Sequence, residues 1–223
     1  MYEEKLQLYP LQKLILAYAK HKNRDRYTVL FAFDSRCGMI IRSTSETLIG
    51  QMRLTWWRDI LTKPAEQRPD GEPLVALLNA VERRGSSVAP LLSILDGWEI
   101  VLDDFPWDAR QFEQYAHRRG IGFFEFAIGP KKSLTANQSL IAKSWALWDF
   151  ARNCSDRNMR TIAFDMCRAF YERAGGCSFD KSGRPLSILC KLVARDVKNG
   201  TISDDLYTPG VARKVIWHGL TGL

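Results

Sequence analysis

The sequence predicts an all-α fold, antiparallel helices around a central cavity. Apolar residues recur at helical spacing along most of the chain, and no stretch shows sustained strand-like alternation. Hydrophobic residues make up 46% of 223, enough for a sizeable core in one domain spanning 1–223. No repeat of fixed period is visible.

The elements follow in order. Leu11, Leu14, Ile15 and Tyr18 recur at helical spacing, as do Leu30, Phe33, Cys37 and Ile41. Thr44 or Ser45 can cap the next helix, whose apolar stripe reads Leu48, Ile49, Met52, Trp56 and Ile60. Residues 63–72, with Pro64, Pro69 and Asp70-Gly71, read as an exposed loop. Further helices are expected at 74–84, 88–102, 109–128, 135–154, 158–174 and 185–199, with a short one at 211–218. Gly175-Gly176 stops one of them, and Pro185 suits the first turn of the next.

The net charge of +7 favours acidic partners such as an anionic membrane surface, a diphosphate ligand or nucleic acid. The basic residues are scattered, with no run above three, so a merely solubilised surface stands beside that reading and nucleic acid ranks last. Five cysteines (Cys37, Cys154, Cys167, Cys177, Cys190) never form C-x-x-C, and His21, His117 and His218 are equally dispersed. This argues against a zinc cluster or disulfide framework and for a reducing compartment. The acidic start, Met1-Tyr-Glu-Glu-Lys, has no signal-peptide character, and no run of about 18 apolar residues exists. A cytoplasmic protein, or one peripheral at the inner membrane, is expected.

Generic catalytic signatures are absent: no G-x-x-x-x-G-K-[ST], no H-E-x-x-H, no G-x-S-x-G. Gly120-Ile-Gly122 lacks a third glycine and a preceding strand, and reads as small residues permitting close helix packing. His117-Arg118-Arg119 reads as an exposed basic stretch. Trp56-Trp57 and Trp145/Trp148 read as core or cavity lining sooner than as a stacking platform for bases.

The segment 29–61, VLFAFDSRCGMIIRSTSETLIGQMRLTWWRDIL, is more specific. Leu30-Phe31-Ala32-Phe33 followed by Arg53-Leu54-Thr55-Trp56-Trp57-Arg58 resembles the first block of the squalene/phytoene synthase family, of isoprenoid-synthase-like fold. The stretch 73–115, with LLSILDGWEIVLDD and FEQY, is similar to that family's middle block, and Ala169-Phe170-Tyr171 and Arg184-Pro185-Leu186 to its last helices. The resemblance places the paired metal aspartates at Gly38 and Arg42, four apart on one helix face. It places the second metal motif at Asp149-Phe-Ala-Arg152-Asn153-Cys-Ser-Asp156-Arg157, where Asn153 and Arg157 replace aspartates. Asp149 and Asp156 survive, two turns apart on one face. Glycine supplies no ligand to Mg²⁺, and arginine puts a cation where a cation should bind.

The resemblance therefore implies a catalytically degenerate member with no cofactor, a pseudoenzyme, in which Arg42, Arg53, Arg58 and Arg152 are candidates to hold a diphosphate directly. The block RSTSETLIGQMRLTWW is closer still to a non-enzymatic branch that includes an assembly factor of mitochondrial respiratory complex I. That implies a binding or assembly role with a prenyl or lipid ligand, or with a membrane-associated respiratory complex or its assembly intermediates. The alternative is a Mg²⁺-dependent prenyltransferase using displaced acids, Asp34 with Asp149 or Asp96 with Glu99. Against it, Asp34 reads as paired with a nearby arginine, Arg36 or Arg42. The chain is short for the enzymatic family, so a final helix closing the cavity is expected to be missing.

Overall fold

The computed structural model describes residues 6, 8–44, 46–176, 179–203 and 209–221; residues 1–5 and Cys177 lie outside them. Among the described residues every regular element is helical. The helices are α1 (Pro10–Leu16), α2 (His21–Ser43), α3 (Thr47–Thr62), α4 (Pro73–Arg83), α5 (Ala89–Ile100) and α6 (Ala109–Tyr115). A π-helical segment, Ala116–Ile121, leads into α7 (Gly122–Ile128), followed by α8 (Ala136–Asn153), α9 (Arg157–Ala174), α10 (Arg184–Asn199) and α11 (Pro209–Thr221). This is the expected all-α architecture of isoprenoid-synthase-like type, and no described helix is long and apolar enough to cross a membrane.

Local chemistry fixes the helix ends. Thr135 Oγ1 accepts from the Gln138 N–H at 3.2 Å while the Gln138 side chain accepts from the Thr135 N–H at 3.0 Å, satisfying two donors that the start of α8 leaves free. Asp108 and Gln111 do the same for α6. Gly175 and Gly200 close α9 and α10 in left-handed conformations (φ 62° and 69°), which glycine adopts without a Cβ penalty.

The core is organised around α2. Nine consecutive residues, from Tyr27 to Ser35, are buried, as befits a helix wrapped on all sides. Two glycines bring the π segment and the start of α7 against their neighbours. A Cβ at Gly120 would collide with the Ala142 carbonyl oxygen of α8, and one at Gly122 would lie 2.5 Å from the Pro90 oxygen of α5. The packing role expected for Gly120-Ile-Gly122 holds.

Three expectations are corrected. The stripe read on α3 faces outward: Leu48, Met52 and Trp56 are 66%, 65% and 44% exposed, and only Ile60 of that set is buried. The buried face is Gly50, Leu54, Trp57, Ile60 and Leu61, which packs toward α2 and α5. Both faces of α3 are apolar, so periodicity alone cannot choose between them. Thr44 does not cap α3; it ends α2, its hydroxyl donating 2.7 Å to the Ile40 oxygen, and Ser45 lies outside the described residues. The continuous helix expected over 109–128 is interrupted by the π segment.

Candidate functional site

A cavity of about 310 Å³ opens where α1, α2, α5, the π segment and α8 converge. Asp34, Gly38 and Arg42 reach it from α2, and Asp149, Arg152 and Asn153 from α8. The two positions flagged by the family resemblance therefore face each other across one space, although they are over 100 residues apart in sequence.

At its centre sits Arg119, whose side chain is only 2% exposed. Its Nε donates to Asp34 Oδ1 at 2.8 Å and its Nη2 to Asp34 Oδ2 at 2.7 Å, a bidentate pair. The same Nη2 donates to Asp149 Oδ2 at 2.7 Å, and Nη1 to the Tyr115 hydroxyl at 2.8 Å. The guanidinium also lies over two indoles, 4.4 Å from the Trp98 ring centroid and 4.9 Å from that of Trp145. Trp98 Nε1 donates to Asp34 Oδ1 at 2.8 Å. Burial alone would pull the Arg119 pKa down, but Asp34, Tyr115 and Asp149 outweigh it and hold the guanidinium well above its ordinary value. Burial pushes the Tyr115 phenol up as well.

Asp34 thus pairs with neither Arg36 nor Arg42, which corrects the sequence reading. Arg36 lies 3.6 Å from Glu72, and Arg42 Nη2 donates to the Tyr9 hydroxyl at 3.1 Å. The exposed basic stretch expected at His117-Arg118-Arg119 does not include Arg119, which is buried. The signal available was Tyr115 one turn before it and the two glycines just after it, which mark a segment pressed into its surroundings.

Other flagged residues lie elsewhere. Arg58 is held by Asp96 at 2.6 Å and Glu99 at 2.8 Å, and Arg53 is exposed with Nη1 3.4 Å from Thr44 Oγ1; neither lines the cavity. Asp156 does not share a helix face with Asp149, since α8 ends at Asn153. Its carboxylate accepts the Met159 N–H at 2.8 Å and caps α9, whose first residue is the exposed Arg157. Arg152, at the cavity edge, donates to the Ser203 carbonyl and stacks 5.1 Å from the Trp148 centroid.

The donor set does not fit Mg²⁺. Both oxygens of Asp34 and one of Asp149 are occupied by Arg119, and Asn153 turns its amide to the Asp149 carbonyl oxygen at 2.8 Å. Three arginines face two aspartates in the lining, and no cluster of three or more metal-ligating side chains exists among the described residues. Mg²⁺ takes one or two free carboxylates and completes its octahedron with waters or phosphates, and here it would meet a resident cation at both carboxylates instead.

An all-α fold with acids from two facing helices meeting in one cavity is the architecture of isoprenoid-synthase-like proteins. Residues 13–120 match the family described as squalene/phytoene synthase, which makes the chain squalene/phytoene-synthase-like over that span. The matched span includes Asp34 and Arg119 but ends before α8. No curated protein matches the chain.

Proposed function

We propose that this protein is a catalytically degenerate, squalene/phytoene-synthase-like binding protein that serves assembly of a membrane-associated respiratory complex. The observation that carries the reading is the placement of Arg119, which occupies the space between Asp34 and Asp149 with hydrogen bonds to both. Coupling prenyl diphosphates requires neutralising a departing diphosphate, for which the family's metal ions supply the charge. A guanidinium locked to two carboxylates forms a cluster with no net positive charge to offer. The exposed Leu48, Met52 and Trp56 on α3 support a role built on contacts, since contiguous exposed apolar residues commonly mark an interaction surface.

The test is to incubate the pure protein with farnesyl or geranylgeranyl diphosphate, with and without Mg²⁺, and follow diphosphate release. No release in either condition is expected. Mg²⁺-dependent release would overturn the reading. The prenyltransferase alternative draws on one observation, the convergence of Asp34 and Asp149 on a single cavity. It requires release that Asp34→Ala abolishes.

A further inference from the structure

A second, larger cavity of about 800 Å³ lies between α10 and α11 and shares no lining residue with the central one. Its floor is apolar: Ile141, Ile188, Leu192, Val211 and Val215 are all buried. Among the described residues its charged lining is cationic, Lys191, Arg195, Lys198 and Arg213, with no aspartate or glutamate. Lys191, Arg195 and Lys198 are spaced four and three apart on α10, so they share one flank of that helix. Arg195 is mostly buried, at 14% exposure. Its Nε donates to Asp196 Oδ1 at 2.8 Å, whereas Nη2, buried and 2.8 Å from the same oxygen, makes no directed hydrogen bond to a described residue. Arg195 is desolvated beside an apolar trough while Lys191, Lys198 and Arg213 are exposed among the lining residues, an arrangement that an anion carrying a hydrocarbon chain complements.

We propose that this cavity binds a single-chain anionic lipid, its hydrocarbon tail along the Ile188–Leu192–Val215 floor and its phosphate head against Lys191, Arg195, Lys198 and Arg213. The volume falls in the range of about 300–1,000 Å³ typical of small-molecule sites, which suits one chain. Trp217, 62% exposed on α11 and part of the lining, stands where it reports occupancy by its fluorescence.

Calorimetry and native mass spectrometry of the full chain, below the critical micelle concentration, test this with oleoyl lysophosphatidic acid. One molecule per chain is expected to bind, with oleoyl lysophosphatidylcholine, which carries no net charge, weaker by about tenfold or more. Inorganic phosphate should not compete at matched concentration. Lys191→Glu/Lys198→Glu should weaken binding by a similar factor, and Val215→Trp should block the tail; circular dichroism confirms that each variant is folded. Arg42→Ala, in the central cavity, should leave binding unchanged. Equal affinity for the two lipids overturns the proposal, as does indifference to the α10 variants, phosphate binding as tightly as the lipid, or loss of binding in Arg42→Ala. Diphosphate release plays no part in this readout, so its failure and that of the reading above are separable.

Discussion

Arg119 and Asp34, 85 positions apart, meet through two parallel hydrogen bonds of 2.8 and 2.7 Å, their side chains only 2% and 9% exposed. The pair ties the π segment to α2, and the further bond to Asp149 brings in α8. Removing one partner of a buried pair leaves an uncompensated charge, so Arg119→Met is expected to lower stability by about 3–5 kcal/mol. Replacing all three charges at once, as Arg119→Met/Asp34→Leu/Asp149→Leu, should cost less than Arg119→Met alone. Urea denaturation of the set checks both statements, and equal losses would show that the charges do not act as a unit.

Restoring an aspartate at Gly38 should not restore a metal site. A Cβ there would lie 3.0 Å from Trp98 Cη2 and 3.1 Å from Arg42 Nη1. Gly38→Asp is expected to destabilise by about 1–3 kcal/mol through overpacking. Calorimetric titration with Mg²⁺ should show no binding, and measurable affinity would place a usable ligand set around position 38.

Gly97 lies on α5 where the π segment passes closest, and a Cβ would sit 2.7 Å from the Arg119 backbone nitrogen. Backbone cannot swing aside as a side-chain tip can. Gly97→Ala should therefore cost about 1–3 kcal/mol by thermal or chemical denaturation, against the usual slight gain of alanine over glycine in a helix.

Stability should fall at alkaline pH. Burial raises the Cys167 thiol from 9.0 to about 12, and burial likewise raises the Tyr27 and Tyr115 phenols above their ordinary 10.0. A folded pKa above the unfolded one means the contribution is fully present below the unfolded value and lost as pH climbs toward the folded one. The urea midpoint should be level up to pH 9.0, fall from there as Cys167 is engaged, and steepen above 10.0. Burial raises the Cys37 thiol as well, so Cys167→Ala should make the fall above pH 9.0 shallower without abolishing it; an unchanged slope would remove Cys167 as a cause.

The two faces of α3 should respond in opposite ways. Leu48→Gln or Met52→Gln, on the exposed side, is expected to shift stability by no more than about 0.5 kcal/mol. Trp57→Ala should cost about 3–5 kcal/mol, since Trp57 is 2% exposed and packs edge-on against Phe33 at 5.5 Å. Comparable losses on both sides would mean that the exposed stripe is covered in solution.

Much of the fold was legible in the sequence because its signals are local. Helical periodicity located the elements to within a few residues, Gly175 and Pro185 marked an end and a start, and Gly120 and Gly122 announced a close approach. The positions flagged on α2 and α8 do share a cavity, because the spacing that marked them also sets the helix face they occupy. What was hidden depends on distant partners. Nothing near Asp34 in sequence points to Arg119, and two apolar faces on α3 left the choice to its packing on α2 and α5. The break after Asn153, which separates Asp149 from Asp156, lies in a stretch whose residue types alone do not forbid another turn.

The six-residue π stretch from Ala116 to Ile121 carries Arg119 into the cavity. A π turn holds one residue more than an α turn, and each residue of an α-helix advances the chain by about 100° of rotation. Deleting a single residue there would let α6 and α7 merge into one regular helix, swinging the guanidinium away from Trp98, Trp145 and both carboxylates. The charge balance of the cavity is thus encoded in chain length as much as in residue identity. The loss of one codon, with no new side chain introduced, would bare Asp34 and Asp149 to ions from solvent.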